Sequence, residues 1–172
     1  MDLALETLNH NQIKTVITIV LGSIVLTEKL GRFLADRMRL TCLPIDLCSE
    51  PDAMFLSHDS LRGGRVRLIE GGDSLEVEGV PDMALEVVSA TSVRKDTKVL
   101  RDLYERAGIP EYWLVDARQD PATFEILRLT RRGYVSVRKQ GGFLKSAIFG
   151  KSFRLTQDRD EHDLPEFKLE VR

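Results

Sequence analysis

The chain has 172 residues, of which 42% are hydrophobic and 30% charged, and its formal net charge is −2. That is enough chain to bury a core within one domain over residues 1–172, and the slight excess of acid supplies no global electrostatic pull toward nucleic acid. The two cysteines, Cys42 and Cys48, have neither CxxC spacing nor a neighbouring histidine, which excludes a disulfide framework and a cysteine metal cluster and suits free thiols in a reducing cytoplasm.

The most apolar stretch, Val16 to Leu26, is shorter than the roughly 20 residues a bilayer requires, and it lacks the basic lead and cleavage site of a signal peptide. No membrane association is expected. Ile13, Val16, Ile17, Val20 and Ile24 recur at helical spacing, followed less regularly by Leu30, Phe33 and Leu34. The spacing predicts an amphipathic helix over residues 10–36, capped by Asn9 or Asn11 and buried at Val20 and Ile24. Leu40 to Leu47 and Asp52 to Leu56 read as strands, and Arg65 to Glu70 with Ser74 to Glu78 as a hairpin around Gly71-Gly72-Asp73. Asp82 to Ser89 is nearly all apolar, as in a central strand covered on both faces. A second helix follows from Ser92 to Ala107, stopped by Gly108 and Pro110, then a strand from Tyr112 to Val115. The strand-helix-strand unit predicts a right-handed parallel crossover in a mixed sheet. Phe124 to Leu129 and Tyr134 to Arg138 form a further hairpin; the tail from Gly141 reads as irregular, with Gln157 to Asp163 a solvated loop.

Glu86 stands in the middle of the apolar run Met83-Ala84-Leu85-Glu86-Val87-Val88. A carboxylate buried there costs several kcal/mol unless compensated, by a basic partner or by a metal ion. Prolines precede aspartates at Pro51-Asp52 and Pro81-Asp82, each at a strand start.

The segment Val80-Pro81-Asp82-Met83-Ala84-Leu85-Glu86-Val87-Val88-Ser89 resembles the signature of the Uma2-like putative endonucleases, in the PD-(D/E)xK superfamily. So do Asp96-Thr97, Leu103-Tyr104, Ala107-Gly108-Ile109-Pro110 and Glu111-Tyr112-Trp113-Leu114-Val115-Asp116. The resemblance covers about residues 40–120, and the first helix loosely. It implies a restriction-endonuclease-like α/β fold, a mixed sheet flanked by helices. It also implies acids that hold Mg²⁺ against a phosphodiester of nucleic acid, DNA before RNA, and leaves a homodimer open.

Asp82 and Glu86 lie four apart on one strand, about 13 Å between Cα atoms, too far to share one Mg²⁺ whose ligands sit about 2 Å away. Asp52, if its strand lies beside that of Glu86, comes within cross-strand reach of roughly 5 Å. The expected metal set is therefore Asp52, Glu86 and the Val87 carbonyl, with Asp82 a strand-start or outer group. The superfamily lysine position, two residues after the acid, is Val88, and the position from which relatives supply one in the following helix is Leu100. The lysine is then expected from Lys98 first and Lys95 second, with Arg94 and Arg101 as electrostatic substitutes. Relatives carry an acidic residue ahead of the first helix, and this chain begins almost at that helix. A degenerate nuclease-fold binding or interaction module is the competing expectation. His10, His58 and His162 show no metal-ligand spacing, Ser89 lacks a nucleophile elbow, and Tyr104, Tyr112 and Trp113 read as packing residues. The basic residues from Arg128 to Arg154 read as a solvated face before a phosphate-tracking one.

Overall fold

The computed structural model describes residues 6–36, 38–90 and 92–172. In chain order the elements are α1 (Leu8–Glu28), β1 (Gly31–Ala35), β2 (Arg39–Cys42), β3 (Leu47–Ser49), β4 (Ala53–Ser57), α2 (His58–Arg62), β5 (Val66–Arg67), β6 (Glu76–Gly79) and β7 (Met83–Val88). A π-helical turn (Lys95–Leu100) leads into α3 (Arg101–Ala107), followed by β8 (Glu111–Asp116), β9 (Thr123–Thr130), β10 (Gly133–Ser136), β11 (Leu144–Lys145), β12 (Ser152–Arg159) and β13 (Pro165–Val171). The central sheet has the order β1-β4-β7-β8-β9-β10, flanked by a small sheet β3-β2-β6-β5 and a C-terminal sheet β11-β12-β13. β7 and β8 are parallel, as the strand-helix-strand pattern predicts, and β4 runs antiparallel to β7. This is a mixed α/β architecture of the expected kind.

The sheet is buried on both faces because β7 is apolar on both. Met83, Leu85 and Val87 point into one core, with the α1 residues Ile13, Ile17, Leu21 and Val25 and with Phe153 and Phe167 of the C-terminal sheet. Ala84 points into the other, with Leu40, Val77, Tyr104 and Tyr112. The π-helical turn and α3 cover that second face through Leu100 and Tyr104, and Gly108 adopts the left-handed conformation that closes α3.

Four local expectations are corrected. The first helix is capped by Thr7, whose hydroxyl accepts from the His10 N–H at 3.3 Å, and not by Asn9 or Asn11. It ends at Glu28, so Phe33 and Leu34 belong to an edge strand. The turn between them depends on Gly31, where a Cβ would lie 2.0 Å from the Leu56 carbonyl oxygen, inside contact distance. The fully buried stripe is Ile13, Ile17, Leu21 and Val25, at strict four-residue spacing, and Val20 and Ile24 are only half-buried at its margin. Leu40 to Leu47 is a hairpin, broken by Leu43-Pro44-Ile45 and turned at Asp46.

The tail is ordered. β12 and β13 pair along their whole lengths, and Phe153, Phe167 and Leu169 pack under α1. A buried acid fastens this sheet to the central one: Glu111 accepts from the Ala147 N–H (2.6 Å), the Ser146 hydroxyl (2.7 Å) and the Trp113 indole (3.0 Å). The expected loop from Gln157 shrinks accordingly, since β12 continues to Arg159 and the Gln157 side chain accepts from the Ala122 N–H at 2.8 Å. Among the described residues no helix is long and apolar enough to cross a membrane, and Cys42 and Cys48 are both free.

Leu21→Ala should cost about 2–5 kcal/mol in denaturant unfolding, and Ile19→Ala, on the outer face of α1, less than about 0.5 kcal/mol. Equal effects would show that the buried stripe is misplaced.

Candidate active site

β7 pairs with β8 from Met83 to Val88 but with β4 only from Met83 to Leu85. The ladder stops there because the next β4-side residues are Asp52, whose carbonyl already accepts from the Asp36 N–H at 3.0 Å, and Pro51, which has no N–H to give. The N–H and C=O of Val87 are thus buried without a strand partner, and such groups must be satisfied by something else. The N–H donates to Asp52 Oδ2 at 2.7 Å, and the carbonyl accepts from His10 Nε2 at 2.7 Å. One step beyond the Ala53–Leu85 pair, the register sets Asp52 opposite Glu86.

Glu86 is 2% exposed and accepts from the Tyr104 hydroxyl at 2.8 Å, with Ser49 donating in turn to Tyr104. Burial first, and then the charge of Asp52, pushes its pKa well above the usual carboxylate range; Asp96 adds to this, while Lys95 and the Tyr104 hydrogen bond work against it. Burial and the same carboxylate push the Tyr104 hydroxyl far up, so it stays a donor.

Helix α1 brings two polar side chains to this end of β7 on the face that otherwise carries Ile13 and Ile17. His10 is 5% exposed, with Nε2 3.7 Å from Asp52 Oδ2 and Nδ1 3.2 Å from Glu6 Oε2. The Lys14 ammonium lies 2.9 Å from Glu6, 3.2 Å from Asp36 and 3.2 Å from Asp52. Burial opposes its charge, but Glu6, Asp52 and Asp36 outweigh that and raise its pKa.

From the opposite face the π-helical turn delivers Lys95 and Asp96. Such widened turns are frequent at functional sites, and this one is pinned by the Tyr112 hydroxyl on the Asp96 carbonyl at 2.9 Å. Lys95 Nζ lies 3.2 Å from Asp96 Oδ1; burial opposes its charge, and Glu86 and Asp96 outweigh that and raise its pKa. Lys98 is exposed on the same turn and forms no ion pair among the described residues. Asp82 lies at the far end of β7, where it accepts from the Ser57 N–H (2.7 Å), the Ser60 hydroxyl (2.9 Å) and Arg65 (3.2 Å). It fastens α2 to the sheet and takes no part in the Glu86 cluster. Ser89 belongs to the turn after β7, its N–H on the Ser92 hydroxyl at 2.9 Å. In the basic C-terminal region Arg128, Lys151 and Arg154 are engaged by Glu111, Glu28 and Glu170.

A family profile described as "Uma2: Putative restriction endonuclease" matches residues 4–157. The chain belongs to the Uma2 family. Among solved structures, a putative nuclease belonging to DUF820 from Anabaena variabilis is similar at a TM-score of 0.64 and 17% identity, covering 87% of this chain and 78% of that one. At that identity the likeness shows the fold. No curated protein matches.

Convergent oxygen donors are what a hard divalent cation requires. This Uma2 chain offers the Asp52 and Glu86 carboxylates and the Val87 carbonyl, and Glu6, His10 and Asp52 present ligand atoms within 4.8 Å of one another. The residues present fit such an ion. Glu6, His10, Lys14, Asp96 and the hydroxyl role of Tyr104 escape a search for metal-ligand spacing, because they come from separate elements. One signal was legible: His10 and Lys14 continue the Ile13–Ile17 side of an amphipathic helix, where polar residues need a buried reason.

Folding raises the Glu86 pKa, so the folded chain keeps this proton at pH values where the unfolded chain has released it. Stability therefore falls with rising pH from about 4.3 up to the folded pKa and is level above it. In EDTA, Glu86→Gln should match or exceed the wild-type Tm at pH 7.5, with the advantage shrinking toward pH 4. A loss of about 3–5 kcal/mol at pH 7.5 would instead make Glu86 the partner of a buried cation.

Proposed function

We propose that this Uma2 protein is a Mg²⁺-dependent endonuclease that hydrolyses phosphodiester bonds of nucleic acid, DNA in the first instance. The observation that carries the reading is that Asp52 stands opposite Glu86 where β7 outruns β4 and Val87 has no strand partner on that side, with Lys95 in the field of both acids. Asp52, Glu86 and the Val87 carbonyl would hold the ion, which supplies positive charge against the phosphate and makes a bound water more acidic.

The chain's own groups do the rest. The Tyr104 hydroxyl holds Glu86 in one rotamer, and the Val87 N–H holds Asp52, so both acids are aimed before substrate arrives. Lys95 is half-exposed, in contact with Asp96 and in the field of Glu86 and Asp52, which suits it to orient the attacking water or balance charge developing on the phosphate. Lys98 points to solvent and is the weaker candidate, the reverse of the order expected from sequence. Asp82 is proposed as a support of the strand alone.

Two observations favour the second reading, a binding module on a degenerate site: the Lys14 ammonium is already paired with Asp52, and β7 carries valine where the superfamily lysine stands. Nicking of supercoiled plasmid with and without Mg²⁺ separates the two. Asp52→Asn and Glu86→Gln should abolish Mg²⁺-dependent nicking. Lys95→Ala should lower the rate about 100-fold or more, and Lys98→Ala by less than about 3-fold. Nicking that survives Glu86→Gln, or none in the wild type with Mg²⁺ or Mn²⁺, would remove the nuclease reading.

A further inference from the structure

Resting on that reading, we infer that His10 is itself a ligand of the metal through Nε2, held by Glu6 at Nδ1, and that the site therefore binds Mn²⁺ more tightly than Mg²⁺. His10 Nε2 shares one corner with the Val87 carbonyl at 2.7 Å and Asp52 Oδ2 at 3.7 Å. These separations bracket the roughly 3 Å that neighbouring ligands keep around one ion about 2.1 Å from each.

The second observation concerns the other ring nitrogen. Nδ1 is buried and makes no hydrogen bond, although Glu6 Oε2 is 3.2 Å away. A carbonyl only accepts, so Nε2 carries the hydrogen in the contact with Val87. In a neutral ring this leaves the Nδ1 lone pair facing a carboxylate, acceptor against acceptor, which costs free energy in a buried site. Coordination through Nε2 places the hydrogen on Nδ1, whose contact with the Glu6 carboxylate 3.2 Å away then changes from repulsive to attractive. That is the carboxylate–histidine–metal order in which an outer carboxylate sets the tautomer of a ligating imidazole. An imidazole in an otherwise oxygen-lined site favours transition metals over Mg²⁺, so the affinity order follows from the donor set.

The plain alternative is that His10 only anchors α1 to β7, as a doubly protonated ring answering both oxygens. Pulsed EPR on the full chain with Mn²⁺ distinguishes the two. We expect a ¹⁴N coupling in the wild type that becomes a ¹⁵N coupling when the histidines are ¹⁵N-labelled and vanishes in His10→Ala and His10→Gln. In titration calorimetry Mn²⁺ should bind the wild type about 10-fold or more tighter than Mg²⁺. His10→Ala and Glu6→Gln should each weaken Mn²⁺ by about 10-fold or more. His10→Gln, whose amide can still donate to Val87, keeps the test available if the alanine variant unfolds in EDTA, and the labelled wild type needs no variant at all. Mn²⁺ bound without nitrogen coupling, or bound equally well by His10→Gln, overturns the inference and leaves the nuclease reading standing. Failure of the wild type to bind either ion overturns both.

Discussion

A strand that outruns its neighbour sets the terms for everything near the site. Had β4 continued to pair with β7, the backbone of Val87 would be consumed in the ladder and would offer no partner to Asp52 or His10. Pro51 prevents this, since it cannot donate to a continuing ladder. The polar backbone atoms so released draw in two side chains, the Asp52 carboxylate from the end of β4 and the His10 imidazole from α1. The cluster of charge follows from that need.

Two buried carboxylates on adjacent strands show how differently the fold treats the same group. Glu111 collects an indole, a hydroxyl and a backbone amide, and its role is exhausted in holding the C-terminal sheet. Glu86 has one hydroxyl donor, a second carboxylate nearby and a lysine at some remove. A fully served carboxylate is architecture; an underserved one in an apolar strand holds free energy that a bound cation can release. Charge alone does not make that distinction, and the donor inventory around each oxygen does.

Much of the architecture was legible in the chain. The apolar run at Met83–Val88, the Gly108 and Pro110 stop and the following Tyr112–Val115 strand forced a parallel crossover, and the unusual place of Glu86 within that run marked the candidate site. That Asp52 stands beside Glu86 was reachable, because Asp82, four residues of extended chain away from Glu86, is too far to share one ion with it. What stayed hidden depended on long-range packing. The helix boundary at Glu28 turns on a close approach between Gly31 and Leu56, residues far apart in sequence. The contact of Lys95 with Asp96 and the exposure of Lys98 depend on the phase of a π-helical turn, which a 3.6-residue period does not give. The C-terminal sheet was missed although Phe167, Leu169 and Val171 alternate with charged residues along β13, because its cover comes from α1 and from Trp113 of β8, both remote in sequence.

That last contact ties the end of the chain to its beginning. Phe167 and Leu169 of β13 lie against the same side of α1 that holds Ile13 and Ile17, one turn from His10 and Lys14. His10, which reaches the unpaired edge of β7, and Lys14, which reaches Asp52, thus sit on a helix backed by a strand lying beyond residue 157, where the family match ends. A segment outside the shared family region acts as the backstop of the site, so sequence drift in β13 can retune the reach of α1 while every acid around the candidate ion stays unchanged.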